Sequence, residues 1–432
     1  MTHASALPDP PRKWLARLVG PASDPVRLLS LFEQGLISGA NFLALLVLAR
    51  DFSVEDFGLY SFAYICLQFL VNLHRSIVVV PFVIHTAQTD GLGREGRRWR
   101  ELNTVAVALS LAGLAIAALL VAPFGGPGWM RQAFLATLVF IGPNYYYEFY
   151  RRWAIQLGRY ALAVAGAGLY TGITLGGFFL ATRLHSLAAA VAAYAAANLA
   201  AAALFLPVVR RTADHASGRG GKAFFVRLRG FLTWSLLSNL AYNGYFHLPA
   251  LILGSMVGPV PVAAYQALRN FTQPLNIVGT AVDNFDKPRA ARALAEAGVG
   301  GLRRQLLRTT LAMATVSLPY MAAVACLARP ALALVYAHRY AGFEDILYLW
   351  IVTSGLTLAA YPVETGLMLL RRPDLLFRGR LLAAVAAAAI CYAAVPAWGV
   401  AGAMIGLQSG VLGSLLFGIL YLRKAIRHWR PA

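Results

Sequence analysis

Four ionisable side chains, Glu33, Arg75, Arg269 and Glu364, lie well inside strongly apolar runs of the sequence, and Glu148, Asp283 and Asp286 lie at the ends of such runs. A charge in such surroundings is costly, so these residues are expected to pair with one another or to act on a substrate or an ion. Arg269 lies deepest in its run, and its planar guanidinium suits an anionic group such as a phosphate. Glu33 is the candidate for carrying a proton, and the alternative for this carboxyl group is an ion pair with Arg75.

Polar side chains recur at three- and four-residue steps in several of the same runs, which places each set on one helix face. A polar face of this kind must contact protein or water rather than hydrocarbon. Any single Asn or Ser could simply bond to a neighbouring helix, whereas the sets together predict a hydrated central cavity. The predicted cavity residues are Glu33, Asn41, Gln68, Asn72, Arg75, Asn239, Asn243, His247, Arg269, Asn270, Gln273 and Glu364.

Twelve apolar runs carry these residues, and each is long enough to cross a bilayer as a helix. We number them as spans 1 to 12, at residues 28–49, 57–84, 103–122, 131–150, 160–182, 186–209, 230–254, 260–285, 307–328, 342–370, 375–395 and 398–422. The sequence therefore predicts an all-α polytopic membrane protein with twelve transmembrane helices.

The twelve spans divide into two halves of six. Tyr60 in "EDFGLYSFAY" aligns with Tyr265 in "VPVAAYQALR", which suggests a parallel internal repeat. The predicted organisation is an N-terminal segment at 1–26, a six-helix bundle at 27–209, a basic linker at 210–229, a second bundle at 230–422 and a basic tail at 423–432. Glycine ladders at Gly168, Gly172 and Gly176 in span 5, and at Gly402, Gly406 and Gly410 in span 12, predict close helix packing.

Composition and charge agree with this topology. The 432 residues are 59% hydrophobic and only 13% charged, against about 25% charged residues in soluble domains. A soluble enzyme, a disordered chain and a fibrous protein are therefore excluded. The net charge of +20 does not indicate nucleic-acid binding, because 31 of the 38 Lys and Arg residues, with Arg151 and Arg380 among them, are assigned to alternate loops. That bias places both termini in the cytoplasm, where the basic segments would face anionic membrane lipids.

Catalytic motifs are missing from the sequence. It contains no H-E-x-x-H, G-x-S-x-G or Walker pattern, and its eight histidines do not cluster at metal-ligand spacing. Cys66, Cys326 and Cys391 lie within apolar runs and form no C-x-x-C pair. We therefore expect neither an enzyme nor a cofactor or metal site.

Two segments resemble a known family. "SGANFLALLVLARDFSVEDFGLYSFAY" and "VAAYQALRNFTQPLNIVGTAVDNFDKPRAAR" are similar to the Wzx-type polysaccharide flippases of the multidrug/oligosaccharidyl-lipid/polysaccharide exporter superfamily. The resemblance implies a V-shaped pair of six-helix bundles, with a cavity built mainly from spans 1, 2, 7 and 8, and transport by alternating access. The chain departs from lipid II flippase-like members, which have fourteen spans, and from strongly cationic cavities, since Arg269 is its only deep cation.

The same resemblance implies a substrate, a coupling ion and a location. The substrate would be an undecaprenyl-diphosphate-linked oligosaccharide, moved across the bacterial inner membrane for exopolysaccharide, capsule or O-antigen synthesis. Transport would be coupled to H+ or Na+, and a polysaccharide polymerase or export complex would be a partner.

Two other functions remain open from the sequence. A cation-coupled drug exporter of the same superfamily would need a carboxylate deep in an aromatic cavity, where this chain places Arg269. A polysaccharide polymerase or ligase would need a long outer loop with catalytic residues, and the twelve-span layout leaves no room for one.

Overall fold

The structure is a computed structural model that describes residues 25–88, 91–213, 221–275, 278–279, 286–370 and 372–428. These ranges are helical and contain no β-strand. The predicted N-terminal segment lies outside them except for residues 25–26, as do linker residues 214–220 and tail residues 429–432.

Spans 1 to 6 correspond to the first helices of the chain. Their bounds are Pro25–Asp51; Val54–His74, continued by a π-helix at Arg75–Val79 and a helix at Val80–Gln88; Gly91–Leu120; Gly128–Gln156; Tyr160–Arg183; and Leu187–Ala213. The last of these helices ends inside the predicted basic linker, and the next begins within it at Gly221.

Spans 7 to 12 form the second half. Their helices are Gly221–Val257, Pro259–Asn270, Lys287–Cys326, Glu344–Leu369 and Pro373–His428, with a short helix Ala328–Tyr336 between spans 9 and 10. The long last helix contains both span 11 and span 12, because Gly399 makes a kink there with φ of 50°. A side chain at this left-handed position would be strained, so glycine allows the chain to turn back.

Eight of the described helices are long and apolar enough to cross a membrane. One of them, Asp374–Arg427, holds two spans. Spans 4, 7 and 8 are outside this set. The helix of span 8 has only 12 residues, which is too short to belong to this set.

The helices pack as two six-helix bundles, as predicted. Span 5 packs against spans 1 and 6, and span 4 against spans 2, 3 and 6. In the second bundle the helix of spans 11 and 12 packs against spans 7 and 10, and span 9 packs against span 10. Spans 3 and 4 thus pair as spans 9 and 10 do, which agrees with a parallel repeat.

The two bundles meet tightly at one end, which we call the closed end. Gly58 of span 2 lies so close to Pro259 that a Cβ atom would overlap its carbonyl group. Gly254 of span 7 similarly leaves room for the ring of Phe62. The Arg339 guanidinium donates a hydrogen bond to the carbonyl of Phe52. Contacts between backbones and bulky rings seal the space between the bundles at this end.

The two glycine ladders behave differently. In span 12, side chains at Gly402, Gly406 and Gly410 would overlap neighbouring atoms, which confirms close packing there. In span 5 the prediction is wrong, because nothing lies within 4 Å of a Cβ built at Gly168, Gly172 or Gly176. Gly166 and Gly177 of the same helix make the close contacts instead. Glycines at four-residue spacing lie on one face of a helix, but they do not predict which neighbouring helix packs against that face.

Candidate substrate cavity and ion-pair network

A cavity of about 800 Å³ lies in the second bundle, away from the closed end. Spans 7, 10, 11 and 12 form most of its wall, and Val80 and Ile84 of span 2 complete it from the first bundle. It is lined by Val80, Ile84, Gly230, Ser235, Ser238, Asn239, Tyr242, Tyr245, Phe246, Lys287, Thr357, Ala360, Tyr361, Glu364, Met368, Arg380, Val411 and Ser414. Gly230, Lys287 and Met368 lie near helix ends that the charge pattern assigns to the cytoplasm, so the cavity opens toward that side.

The charged centre of this cavity is an ion pair between Glu364 and Arg380. The Arg380 Nη2 atom lies 2.8 Å from the Glu364 carboxylate, and the guanidinium lies 5.1 Å from the ring centre of Tyr242. Sequence analysis predicted Glu364 but counted Arg380 among the cytoplasmic loop charges. The helix begins at Pro373, so Arg380 is two turns inside it. The signal that separates Arg380 from the loop charges is its position after residue 375, where the apolar run of span 11 begins.

Arg269 lies in a small pocket that adjoins this cavity. The pocket of about 30 Å³ shares Phe246, Thr357 and Tyr361 with the large cavity. The guanidinium carbon of Arg269 lies 5.1 Å from the ring centre of Phe246 and 5.9 Å from that of Trp350. No carboxylate among the described residues forms an ion pair with it. Aromatic faces stabilise a cation and leave its N–H donors available to an anion.

Span 8 is interrupted directly after Arg269, where the sequence analysis predicted a continuous helix. The regular helix ends at Asn270, and residues 271–274 form turns with hydrogen bonds to the third preceding residue, such as Thr272 to Arg269. Pro274 explains the break, because proline has no N–H and disfavours helical geometry in the preceding residue. Arg269 therefore occupies the last turn of a short helix, where the helix dipole favours a positive charge.

The carbonyl groups near the break find side-chain partners. The Tyr336 hydroxyl donates to the carbonyl of Ala267 at 2.8 Å, and the Tyr320 hydroxyl donates to that of Phe271 at 2.7 Å. Irregular backbone is tolerated at membrane depth only with such replacements. Asn270 is buried with its amide 3.4 Å from the Tyr336 hydroxyl, and Gln273 bonds to Asn270. These two predicted cavity residues stabilise the break and do not line the large cavity.

A second polar cluster bridges the two bundles. The Asn72 amide of span 2 donates to the Asn243 side-chain oxygen of span 7 at 3.0 Å, and it lies 3.3 Å from His247 Nε2. Asn243 also bonds to Asn239, which lines the large cavity. The structure thus brings together Asn72, Asn239, Asn243 and His247, as the polar stripes predicted. The π-helix at Arg75–Val79 follows this cluster by one turn.

Glu33 belongs to a buried ion-pair network in the first bundle. Its carboxylate lies 2.6 Å from Arg151, and both side chains are at most 5% exposed. Arg151 also contacts Glu148 at 2.8 Å, and Glu148 reaches Arg75 at 3.2 Å. The predicted pair of Glu33 with Arg75 is therefore wrong, because Arg151 lies between them. Arg151 had been assigned to a loop, although helix Gly128–Gln156 extends beyond it.

The large cavity overlaps with the predicted cavity only in part. Spans 7 and 10 to 12 form most of the large cavity, whereas the prediction was spans 1, 2, 7 and 8. Of the twelve predicted residues, Asn239 and Glu364 line it, and Arg269 lines the adjoining pocket. Asn41 bonds to the Tyr170 hydroxyl inside the first bundle, and Gln68 lies beside Tyr64. Glu33, Asn41, Gln68 and Arg75 are thus not part of this cavity wall.

No metal site is evident in the described ranges. They contain no group of three or more His, Cys, Asp and Glu side chains that could hold a metal ion.

Comparison with known proteins identifies the fold. Residues 235–361 match the MatE family model. The matched segment is similar to this family over less than a third of the chain, and it carries Asn239, Asn243, His247, Arg269 and the aromatic partners of Arg269. None of the curated proteins compared matches the sequence.

Solved structures extend the MatE likeness to nearly the whole chain. An inward-facing multidrug resistance MATE family transporter of the MOP superfamily aligns with a TM-score of 0.67 at 15% identity, covering 93% of this chain and 94% of the other. An outward-facing one gives 0.58 at 14% identity, with 97% and 99% covered. The lipid II flippase MurJ, in an inward closed conformation, gives 0.64 at 12% identity, with 94% and 89% covered. The chain has the fold of these transporters.

Proposed function

We propose that this protein is a membrane transporter that flips a lipid-linked oligosaccharide across the bacterial inner membrane by alternating access. The observation that carries the proposal is the arrangement of cations around the cavity of about 800 Å³. Arg380 and Lys287 line it, and Arg269 adjoins it with aromatic side chains as its contacts. Glu364 is the one carboxylate among the described lining residues, and it pairs with Arg380. This excess of positive charge suits an anionic substrate such as a diphosphate-linked glycan.

The tyrosines of the same wall support a glycan as cargo. Tyr242, Tyr245 and Tyr361 line the cavity, and aromatic rings combine an apolar face with a polar hydroxyl group. The open side is bordered by Val80 and Ile84, each about 42% exposed. An apolar border of this kind allows a lipid tail to stay in the bilayer while the head group enters.

The closed end and the open cavity support alternating access. Bundle contacts at Gly58 and Gly254 seal one end, whereas the cavity opens toward the other, which the charge pattern assigns to the cytoplasm. The TM-score is higher for the inward-facing transporter than for the outward-facing one, which agrees with a cavity that faces the cytoplasm. The expected cycle opens the closed end and narrows the cavity.

Coupling and cellular context form part of the same proposal. Glu33 would exchange a proton from its buried site beside Arg151, and Na+ is the alternative coupling ion. The product would be delivered to a polysaccharide polymerase or export complex, for exopolysaccharide, capsule or O-antigen synthesis. Both termini would lie in the cytoplasm.

A cation-coupled drug exporter is the second candidate function. The alignment with multidrug resistance transporters favours it, as does the Glu364 carboxylate in a cavity with several aromatic side chains. The pairing of Glu364 with Arg380 at 2.8 Å argues against it, because that carboxylate is already neutralised.

A reconstituted system separates the two candidates. Proteoliposomes would carry a fluorescent undecaprenyl-diphosphate-linked disaccharide, and dithionite bleaching would report the fraction in the accessible leaflet. We expect protein-dependent flipping of this probe and no uptake of ethidium, a cationic drug. Uptake of ethidium without flipping of the probe would support the exporter and overturn the flippase.

A further inference from the structure

A second cavity lies on the outer surface of the first bundle, between the start of span 3 and the end of span 4. Its volume is about 570 Å³, and we call it the interfacial pocket. It is lined by Arg97, Arg100, Glu101, Asn103, Thr104, Val105, Tyr146 and Tyr150. It shares none of its lining residues with the substrate cavity.

The interfacial pocket crosses the boundary between polar and apolar surface. Helix Gly91–Leu120 begins with a basic stretch that includes Arg97 and Arg100. One turn further on, Val105 is 52% exposed, and Leu109 beyond it is 69% exposed. Exposed apolar side chains of this kind contact lipid acyl chains in a membrane protein. The arginines therefore lie at the level of the lipid headgroups.

The hydrogen-bonding groups at the pocket match a phosphate. Among the described residues, Arg97 forms an ion pair with Glu101 alone, and both side chains are more than half exposed. Such surface pairs are easily exchanged. Arg100 lies beside the Tyr150 hydroxyl. Guanidinium groups three residues apart on a helix share a face and can donate to the same phosphate.

Asn103 supplies an independent indication of a ligand. Its side chain is fully buried at the pocket wall. Its Oδ1 atom lies 2.8 Å from His74 Nε2, whereas its Nδ2 donor has no partner among the described residues. A buried donor without a partner is costly, so a ligand oxygen at this place would satisfy it.

We propose that the interfacial pocket binds the headgroup of an anionic glycerophospholipid. Arg97, Arg100 and the Asn103 amide donate to the phosphate, and the acyl chains follow the apolar surface at Val105 and Leu109. Tyr146 borders the headgroup, and its hydroxyl already contacts Thr104 at 3.3 Å. Continuity with the exposed apolar surface favours a lipid over free phosphate. The positive-inside pattern places the site in the cytoplasmic leaflet.

Thermal unfolding of the delipidated full-length protein in a neutral detergent tests the site. Dioleoyl-phosphatidylglycerol should raise the unfolding midpoint in a saturable way, whereas dioleoyl-phosphatidylcholine and glycerol 1-phosphate should not. An equal shift with phosphatidylcholine would overturn the requirement for an anionic headgroup. An equal shift with glycerol 1-phosphate would overturn the lipid and indicate a free-anion site.

Substitutions of single arginines test whether phosphatidylglycerol binds in the interfacial pocket. Arg97→Gln and Arg100→Ala should each weaken the apparent affinity for phosphatidylglycerol about fivefold, the effect of one basic residue near an anionic lipid. Arg97 is 69% exposed, so its substitution should not disturb packing even if Arg100→Ala lowers stability. Arg159→Ala removes the same charge from an exposed position outside the pocket and should leave the affinity unchanged. Wild-type affinity in Arg97→Gln, or an equal loss in Arg159→Ala, would overturn the site.

Discussion

Arg269 shows how a permanent charge can be kept inside an apolar bundle with no carboxylate partner among the described residues. Two aromatic rings and the end of a short helix stabilise it. All three interactions leave the planar N–H donors of the guanidinium group free for a substrate. This differs from Arg151 and Arg380, which are held by Glu33 and Glu364.

Substitution of Arg269 should reduce transport without removing the protein from the membrane. Arg269→Lys keeps the charge but loses the two-point grip on a phosphate, so glycan export should fall. Arg269→Ala should reduce it further, by about tenfold or more, the usual effect of losing a charged hydrogen bond. Export is measured at matched protein levels, with the exposed Arg131→Ala as control. Normal export by Arg269→Ala would show that this residue does not contact the substrate.

Glu33→Gln should abolish the pH dependence of transport and leave substrate binding nearly intact. The amide mimics the neutral acid but cannot titrate. Arg151 keeps Glu148 as its partner at 2.8 Å, so the change does not strand a buried cation. Transport would be measured in proteoliposomes over a range of pH. A wild-type pH profile in the variant would assign Glu33 to a structural ion pair.

Arg151→Ala serves as the structural reference for that experiment. It would leave the buried carboxylates of Glu33 and Glu148 without their shared cation. The loss of one partner from a buried pair costs about 3–5 kcal/mol. We therefore expect a lower unfolding midpoint in Arg151→Ala and a nearly unchanged one in Glu33→Gln. Equal midpoints in the two variants would contradict the central place of Arg151 in the network.

At the scale of helices, the irregular segments lie next to the polar clusters. Span 8 breaks beside Arg269, and the π-helix in span 2 begins one turn after Asn72. Such irregularities leave backbone groups without their helical hydrogen bonds and change the direction of nearby side chains. They are common at functional sites. Pro274 signals the break in the sequence, whereas no residue type announces the π-helix.

Glycine packing provides a test at the same scale. Gly406→Val should destabilise the protein by about 1–3 kcal/mol, because a side chain there would overlap Cys391 of span 11. Gly172→Val is the matched control, since nothing lies within 4 Å of a Cβ at that position. Both changes alter helix propensity equally. Thermal unfolding in detergent should separate them, and equal midpoints would contradict the packing of spans 11 and 12.

For the whole molecule, the bundles are joined tightly at one end and enclose a cavity near the other. Spans 2 and 8 form the main contact between them. The charge pattern predicts which end faces which side of the membrane. Strongly basic loops alternate with weakly basic ones along the chain. A missed or extra span would therefore reverse the predicted side of the membrane for the loops that follow it.

Reporter fusions would check this orientation. Fusions at Gly126, Ser186 and Trp398 should report the periplasm, and fusions at Gly96, Ser217 and Gly298 the cytoplasm. The alkaline phosphatase and green fluorescent protein signals would be read as a pair at each site. Two reversed reports would contradict both the span count and the cytoplasmic face of the cavity.

The sequence alone determined the helical membrane class, the twelve spans and the two bundles, because hydropathy and loop charge act through local composition. It also indicated Arg269, Glu364 and the Asn72–Asn243 cluster, since polar residues at helical spacing must avoid lipid. The tertiary structure decided which charges meet. Arg151 and Arg380 occupy ends of apolar runs, where sequence cannot separate a loop charge from a buried partner. The packing of the helices against one another sets those pairs, and it places the large cavity among spans 7, 10, 11 and 12. It can join residues more than a hundred positions apart, as it does Glu33 and Arg151, and no local pattern specifies such a contact.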